Sequence, residues 1–192
     1  MNIAYSIYYI IAYPFAKLIY PCRTLGKENI SDGPLIVCSN HSDYLDVVEL
    51  AMAFGFRRRL FFMAKAEFFK IPVIRTIFKW GGVFPIERGE ADITAIRTTI
   101  NHLKNGHIIM MFPEGTRVSE SDSIAAKSGA VRIASKLKVQ ILPIYITKNK
   151  KPFHKAKLIV GKPYIPEVPK NKDYTILSDD LMKRIYALEP LQ

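Results

Sequence analysis

Leu35-Ile36-Val37-Cys38-Ser39-Asn40-His41-Ser42-Asp43-Tyr44-Leu45-Asp46 begins apolar and β-branched and ends polar. Residues 35–38 read as a buried strand. The five-residue step from His41 to Asp46 would set the two side chains roughly 140° apart on an ideal helix, so they cannot act together from within one. They can do so if His41 lies at the end of the strand and Asp46 in the first turn of the following helix, with Ser42 or Asp43 as its cap. A carboxylate reaching the far ring nitrogen would then fix the tautomer, leaving the other nitrogen to take a proton from an alcohol. The same spacing also surrounds histidines that are merely structural, so the rest of the chain decides between the two.

A second apolar run, 107–112, leads into Phe112-Pro113-Glu114-Gly115-Thr116-Arg117. Pro113 and Gly115 predict a sharp turn where that strand ends. Arg117 offers a planar fork suited to phosphate, Thr116 a hydroxyl, and Gly115 room for a backbone to approach an oxyanion. An ordinary turn with a solvated arginine has the same composition. Other strand-like runs fall at 60–64, 83–86, 140–147 and 157–160, and helical periodicity at 43–54, 67–80, 92–105, 124–138 and 178–188. Gly106 reads as the C-terminal cap of the third helix. This alternation predicts an α/β fold with a mixed, mostly parallel sheet flanked by helices. In such a sheet ligands bind at the carboxyl edge, where both polar blocks would lie. Residues 148–155 predict a lysine-rich loop and 163–173, with three prolines, an extended link to the last helix.

Together these blocks resemble the glycerolipid acyltransferase family, the lysophosphatidate acyltransferase type in particular. Four stretches match it in order: 40–46, 82–88, 112–117 and 141–146. Lys65 with Glu67 and Pro72, Lys127-Ser128-Gly129, and Gly161-Lys162-Pro163 match smaller features, so the resemblance covers roughly residues 25–165. Glu87 stands where an aspartate is common in the family, a change that keeps the charge. The resemblance implies an acyltransferase domain, placed at 25–192, and residues 1–24 are expected from their composition to form an N-terminal membrane-associating helical segment. The resemblance also implies transfer of a fatty acyl group from a thioester, on coenzyme A or acyl carrier protein, to the free hydroxyl of 1-acylglycerol 3-phosphate, giving phosphatidate. His41 would be the general base and Asp46 its orienter, with no acyl-enzyme, no metal and no cofactor beyond the acyl co-substrate. Arg88, Arg117 and Lys127 would hold the acceptor's phosphate, with Glu114, Gly115 and Thr116 beside it. Glycerol 3-phosphate or another lysophospholipid as acceptor, or a non-catalytic protein that binds lipid phosphates, are the alternatives.

Other residues read more plainly. Neither Cys22 nor Cys38 sits in a nucleophile setting, and both read as small buried thiols. His102, His107 and His154 lack partners at metal-ligand spacing and read as structural or surface residues. Oxyanion donors are expected among backbone N–H groups near Gly129 or in the loops around His41.

At 192 residues the chain suits a single domain with a sizeable core. Lys and Arg outnumber Asp and Glu by 28 to 17, a net charge of +11, which favours anionic headgroups, an acidic carrier or nucleic acid as partner. Nucleic acid is the weaker choice, because no helix-turn-helix, zinc or aromatic-platform pattern accompanies the charge. Two cysteines and the lack of a cleavable signal pattern argue for a reducing interior. Residues 1–20 carry one charged side chain, Lys17, and approach the length of a membrane span. Pro14 and the rings of Tyr5, Tyr8, Tyr9, Tyr13 and Tyr20 favour a helix lying in one leaflet instead, over spanning or internal packing. The expected location is the cytoplasmic face of the cell membrane, as a peripheral or monotopic protein. A second region, 60–80, interleaves aromatics with Lys65, Lys70, Arg75 and Lys79. It suits contact with lipid headgroups, or equally two amphipathic helices covering a sheet.

Overall fold

The computed structural model describes residues 3–87, 92–116, 126–148, 150–168 and 172–190. The chain opens with helix α1 (Ile3–Ile19) and passes directly into strand β1 (Cys22–Leu25). Then come β2 (Leu35–Ser39), α2 (Asp46–Phe54), β3 (Leu60–Lys65), α3 (Pro72–Gly81), β4 (Val83–Ile86), α4 (Ile93–Lys104) and β5 (Ile108–Met111). The remainder is α5 (Gly129–Leu137), β6 (Gln140–Ile146), β7 (Ala156–Val160) and α6 (Thr175–Tyr186).

The strands form one sheet in the order β1-β7-β6-β2-β5-β3-β4. β6, β2, β5, β3 and β4 run parallel; β7 is antiparallel to β6, and β1 follows β7. The sheet is therefore mixed and mostly parallel, with helices on its faces. Every residue of β2 is buried, because the strand is covered on both sides and so shows no polar alternation. Leu35 and Val37 join one core with Leu50, Ala53 and Phe54 of α2. Ile36 and Cys38 join the other with Leu103 of α4, Val131 and Ile133 of α5, and Leu181 and Ile185 of α6. This arrangement puts a topological switch at the centre. β2 continues into α2 on one face and β5 into α5 on the other, so the crevice between their carboxyl ends stays open.

Several boundaries differ from expectation. β1 was not anticipated, and the division drawn after residue 24 falls inside it; the helical segment ends at Ile19. The helix expected over 67–80 is two pieces, a 3-10 turn at Ala66–Lys70 and then α3, which starts at Pro72 because a proline at the first helical position needs no N–H partner. α2 starts at Asp46 rather than Asp43, and α5 at Gly129. Gly106, with φ +76°, ends α4 as expected. It donates to Leu103 O at 3.0 Å while His107 donates to His102 O at 3.0 Å, the paired bonds of a Schellman turn.

One expectation for the N-terminal helix also changes. Tyr5 is buried, the Tyr9 hydroxyl donates to Met52 O at 3.1 Å, and the Tyr9 ring stacks on Tyr13 at 5.2 Å. These rings lie four residues apart, share one face and pack inward instead of standing at an interface. The outward face carries Ile3, Ile7, Ile10, Ile11, Phe15 and Leu18. Among the described residues no helix is long and apolar enough to cross a membrane.

Candidate active site

β2 and β5 are neighbours, so the chain leaving Ser39 and the chain leaving Met111 emerge side by side. That adjacency brings the two polar blocks together. The His41 ring lies flat on Phe112, with centroids 3.8 Å apart and planes 12° from parallel. Asn40 supports the bend between strand and histidine. Its amide donates to Ile146 O at 2.9 Å and accepts from Ile146 N at 2.8 Å, so the side chain prolongs the pairing of β2 with β6 while the main chain turns away.

His41 and Asp46 meet as the spacing predicts. His41 Nδ1 lies 2.9 Å from Asp46 Oδ2, with the Asp46 side chain fully buried and the His41 ring slightly exposed. Oδ2 also accepts from the N–H groups of Ser42 and Asp43, each at 2.8 Å. The capping expected of Ser42 or Asp43 is thus reversed. Their backbones donate to Asp46, and the Asp43 carboxylate accepts from Leu45 N at 3.0 Å. Burial would raise the Asp46 carboxyl, but the His41 bond, the Lys150 charge and the Asp43 N–H hold it below the ordinary carboxylate value. Asp46 is therefore an anion that accepts, Nδ1 carries the proton, and Nε2, without a hydrogen-bond partner among the described residues, is the nitrogen left to accept one.

Glu114 is buried and already occupied. Oε2 accepts from His41 N at 2.8 Å and Oε1 from the Tyr186 hydroxyl at 2.8 Å. Burial raises its carboxyl more than those two donors lower it. Glu114 thus fixes the backbone of His41. Gly115 adopts φ +69°, and a Cβ there would stand 2.7 Å from Lys127 Cε. The Lys127 side chain lies over this glycine, and the Lys127 N–H donates to Pro113 O at 2.7 Å. Lys127 consequently reaches the turn, and Thr116 is exposed beside it. Arg88 and Arg117 lie outside the described residues. β4, the strand before Arg88, ends on the same carboxyl edge, two strands away from β5 and so at roughly 10 Å.

Four residues beyond the sequence reading belong to this neighbourhood. Lys150 Nζ contacts Asp46 Oδ1 and stands 3.4 Å from Glu49 Oε2, all three side chains buried to about 99 %. Lys148 Nζ lies over the Tyr186 ring, 4.7 Å from its centroid. The one available signal was position: the lysine-rich stretch follows β6, which also borders β2, so it too opens on the central crevice. Cys22 and Cys38 are buried free thiols as expected, with burial pushing Cys22 up to about 12 and Cys38 further.

Residues 22–147 match the family model for acyltransferases. A 1-acyl-sn-glycerol-3-phosphate acyltransferase of Bacillus subtilis is 31 % identical over 177 residues, 87 % of each chain. A chloroplast protein of Arabidopsis thaliana with the same enzyme name is 32 % identical over 139 residues, covering 70 % of this chain and 37 % of that one. Among solved structures, the 1-acyl-sn-glycerophosphate acyltransferase of Thermotoga maritima superposes with a TM-score of 0.70 at 24 % identity, over 98 % of this chain and 79 % of that one. The fold is thus shared with that structure.

Proposed function

This chain belongs to the acyltransferase family, and we propose that it transfers a fatty acyl group from a thioester to the free hydroxyl of 1-acylglycerol 3-phosphate, giving phosphatidate. The donor would be acyl-coenzyme A or acyl-acyl carrier protein. The observation that carries the reading is the His41 Nδ1 to Asp46 Oδ2 bond of 2.9 Å at the carboxyl edge of the sheet, which leaves Nε2 basic. Acceptor oxygen attacks the thioester carbonyl as its proton passes to His41 Nε2. The tetrahedral intermediate then expels the thiolate, which takes that proton back. The C–O bond replaces the C–S bond, and the chain needs no covalent intermediate. Base assistance of this kind contributes about 10²- to 10⁴-fold.

Lys127 beside Gly115 supports a cationic setting for the acceptor's phosphate, and Arg88 and Arg117 are proposed to complete it. N–H groups at the start of α5, two residues beyond Lys127, are candidates for the oxyanion. The enzyme would work as a peripheral or monotopic protein on the cytoplasmic face of the cell membrane, with anionic lipids as partners and, for one choice of donor, acyl carrier protein. The outward stripe of α1 supports that placement.

The test is release of free thiol when purified protein is mixed with an acyl thioester and lysophosphatidate in detergent micelles. Wild type should turn over and His41→Ala should fall to background while keeping its fold. Retained lipid binding without thiol release in the wild type would identify a lipid-phosphate binder instead. Arg117→Ala should raise the KM for the acceptor by roughly 10- to 150-fold, since a charge-assisted contact contributes about 1.5–3 kcal/mol. An unchanged KM removes Arg117 from the phosphate site.

A further inference from the structure

Asp46 has two carboxylate oxygens, and the dyad uses only one. Oδ2 takes the His41 ring and the Ser42 and Asp43 N–H groups. Oδ1 faces Lys150, whose ammonium group also stands 3.4 Å from Glu49 Oε2. Asp46 and Glu49 are three residues apart in the first turn of α2, so both carboxylates leave the same side of the helix. Two carboxylates buried that close cannot both stay ionised without a cation, and an ammonium cannot be buried without an anion. Lys150 meets both requirements. It comes from the stretch after β6, so the contact ties that stretch to the start of α2.

We propose that Lys150 is a positioning residue for the His41–Asp46 pair, clamped between Asp46 and Glu49, and that this ionic chain sets both the orientation of Asp46 and the proton affinity of the base. The proposal rests on the reading of His41 as the base. Lys150 acts through Asp46: its positive charge offsets part of the field that Asp46 exerts on the imidazole, and Glu49 offsets part of Lys150. Burial pushes the Glu49 carboxyl up to about 7 despite Lys150, with Asp46 and Asp43 adding to the rise, so Glu49 changes charge within the working range of the enzyme. Other charged and titratable groups face the cluster: Glu114, whose carboxyl is raised by burial, accepts from His41 N on the far side of the base. Cys22, at the start of β1, is a buried thiol pushed up to about 12, and Lys17 of α1 donates to its carbonyl oxygen at 3.3 Å. Lys27 also acts on Cys22 electrostatically.

The two neighbours of Asp46 therefore have opposite signs of effect. Lys150→Met removes a cation, favours the imidazolium and should move the His41 NMR titration midpoint, and the acid limb of kcat/KM, up by roughly half to one pH unit. Its kcat should fall about tenfold or more as Asp46 loses a fixed partner, with both KM values held. Glu49→Gln removes the negative charge that Glu49 gains as pH rises through about 7, leaves Lys150 less compensated there and should move both readouts down. A residue that only supported the fold would lower melting temperature without moving either midpoint in these opposite directions.

Midpoints that stay within 0.1 unit of wild type in both variants would overturn the proposal, as would shifts of the same sign. Should Lys150→Met fail to fold, Glu49→Gln decides alone, and an unmoved or raised midpoint there overturns it. The NMR titration needs no turnover, with the His41 signal assigned by its loss in His41→Gln. Expected shifts in a wild type that transfers no acyl group would keep the ionic chain and remove the acyltransferase mechanism. Turnover that depends on His41 but is indifferent to Lys150 would do the reverse.

Discussion

Asn40 makes two hydrogen bonds that require an amide, one as donor and one as acceptor, to the same residue of β6. Asn40→Asp keeps the shape, loses the donor and buries an anion against Ile146 O. It should destabilise the fold by about 1–3 kcal/mol and lower kcat, read from urea denaturation and thiol release. Glu49 gives a pH-dependent counterpart. Its carboxyl is raised from the ordinary 4.5 to about 7, so the folded chain binds that proton more tightly than the unfolded chain. The stabilisation it brings is full below about pH 4.5 and is lost as pH rises through 7. Asp46, held below its ordinary value, acts oppositely and is felt only under acid conditions. Glu49→Gln should therefore gain melting temperature relative to wild type as pH goes from 5 to 8, measured by circular dichroism. A constant difference across that range would show Glu49 ionised throughout. His41 and Asp46 were readable in the sequence because their chemistry demands both residue types and their spacing demands a strand-to-helix junction. Glu49, Lys150 and Tyr186 were not, since a lysine in a lysine-rich loop and a glutamate in a helix carry no local mark of burial. Their partners come from segments far along the chain.

Elements show the same division between local and non-local information. Gly106 and Pro72 set their helix ends through φ preference and a missing N–H, properties that need no tertiary context. β1 is four residues with two polar side chains, and only its pairing with β7 makes it a strand. In α1 the tyrosines suited an interface by composition, yet Tyr5 and Tyr9 find a helix and an arginine to pack on, with the Arg59 guanidinium 5.6 Å from the Tyr5 ring centre. The turn after β5 carries a prediction at this scale. Gly115→Ala places a side chain at φ +69°, a conformation costing about 1–2 kcal/mol for an L-residue, and drives the Cβ into the Lys127 stem. The lysine, being flexible, is the part that moves. Acceptor KM should rise several-fold with kcat nearly unchanged, and a fall in kcat alone would mean that Lys127 does not meet the acceptor.

Across the whole molecule, the alternation of strands and helices predicted a mostly parallel sheet and the carboxyl-edge rule its ligand-binding edge, whereas the strand order depends on pairings that no local pattern encodes. That order decides the site, by setting β2 between β5 and β6. It also leaves one flank apolar. α3 packs against α1 and has no buried residue, and Val73, Ile77 and Trp80 are exposed there along with the outward isoleucines of α1. Arg75 and Lys79 stand on the same helix, in a chain of net charge +11. Two forces should therefore draw this flank to a bilayer, and they separate by experiment. Full burial of an isoleucine contributes about 1.5–3 kcal/mol, so Ile7→Asp with Ile10→Asp should weaken binding to neutral phosphatidylcholine vesicles at least tenfold, since about 1.4 kcal/mol suffices for that. Salt should leave that binding unchanged. On vesicles containing phosphatidylglycerol, wild type should bind more tightly and lose the excess between 0.05 and 0.5 M salt, while the double variant keeps only the salt-sensitive part. Equal binding of variant and wild type to neutral vesicles, in co-sedimentation with unchanged far-ultraviolet dichroism, would move the membrane contact away from α1.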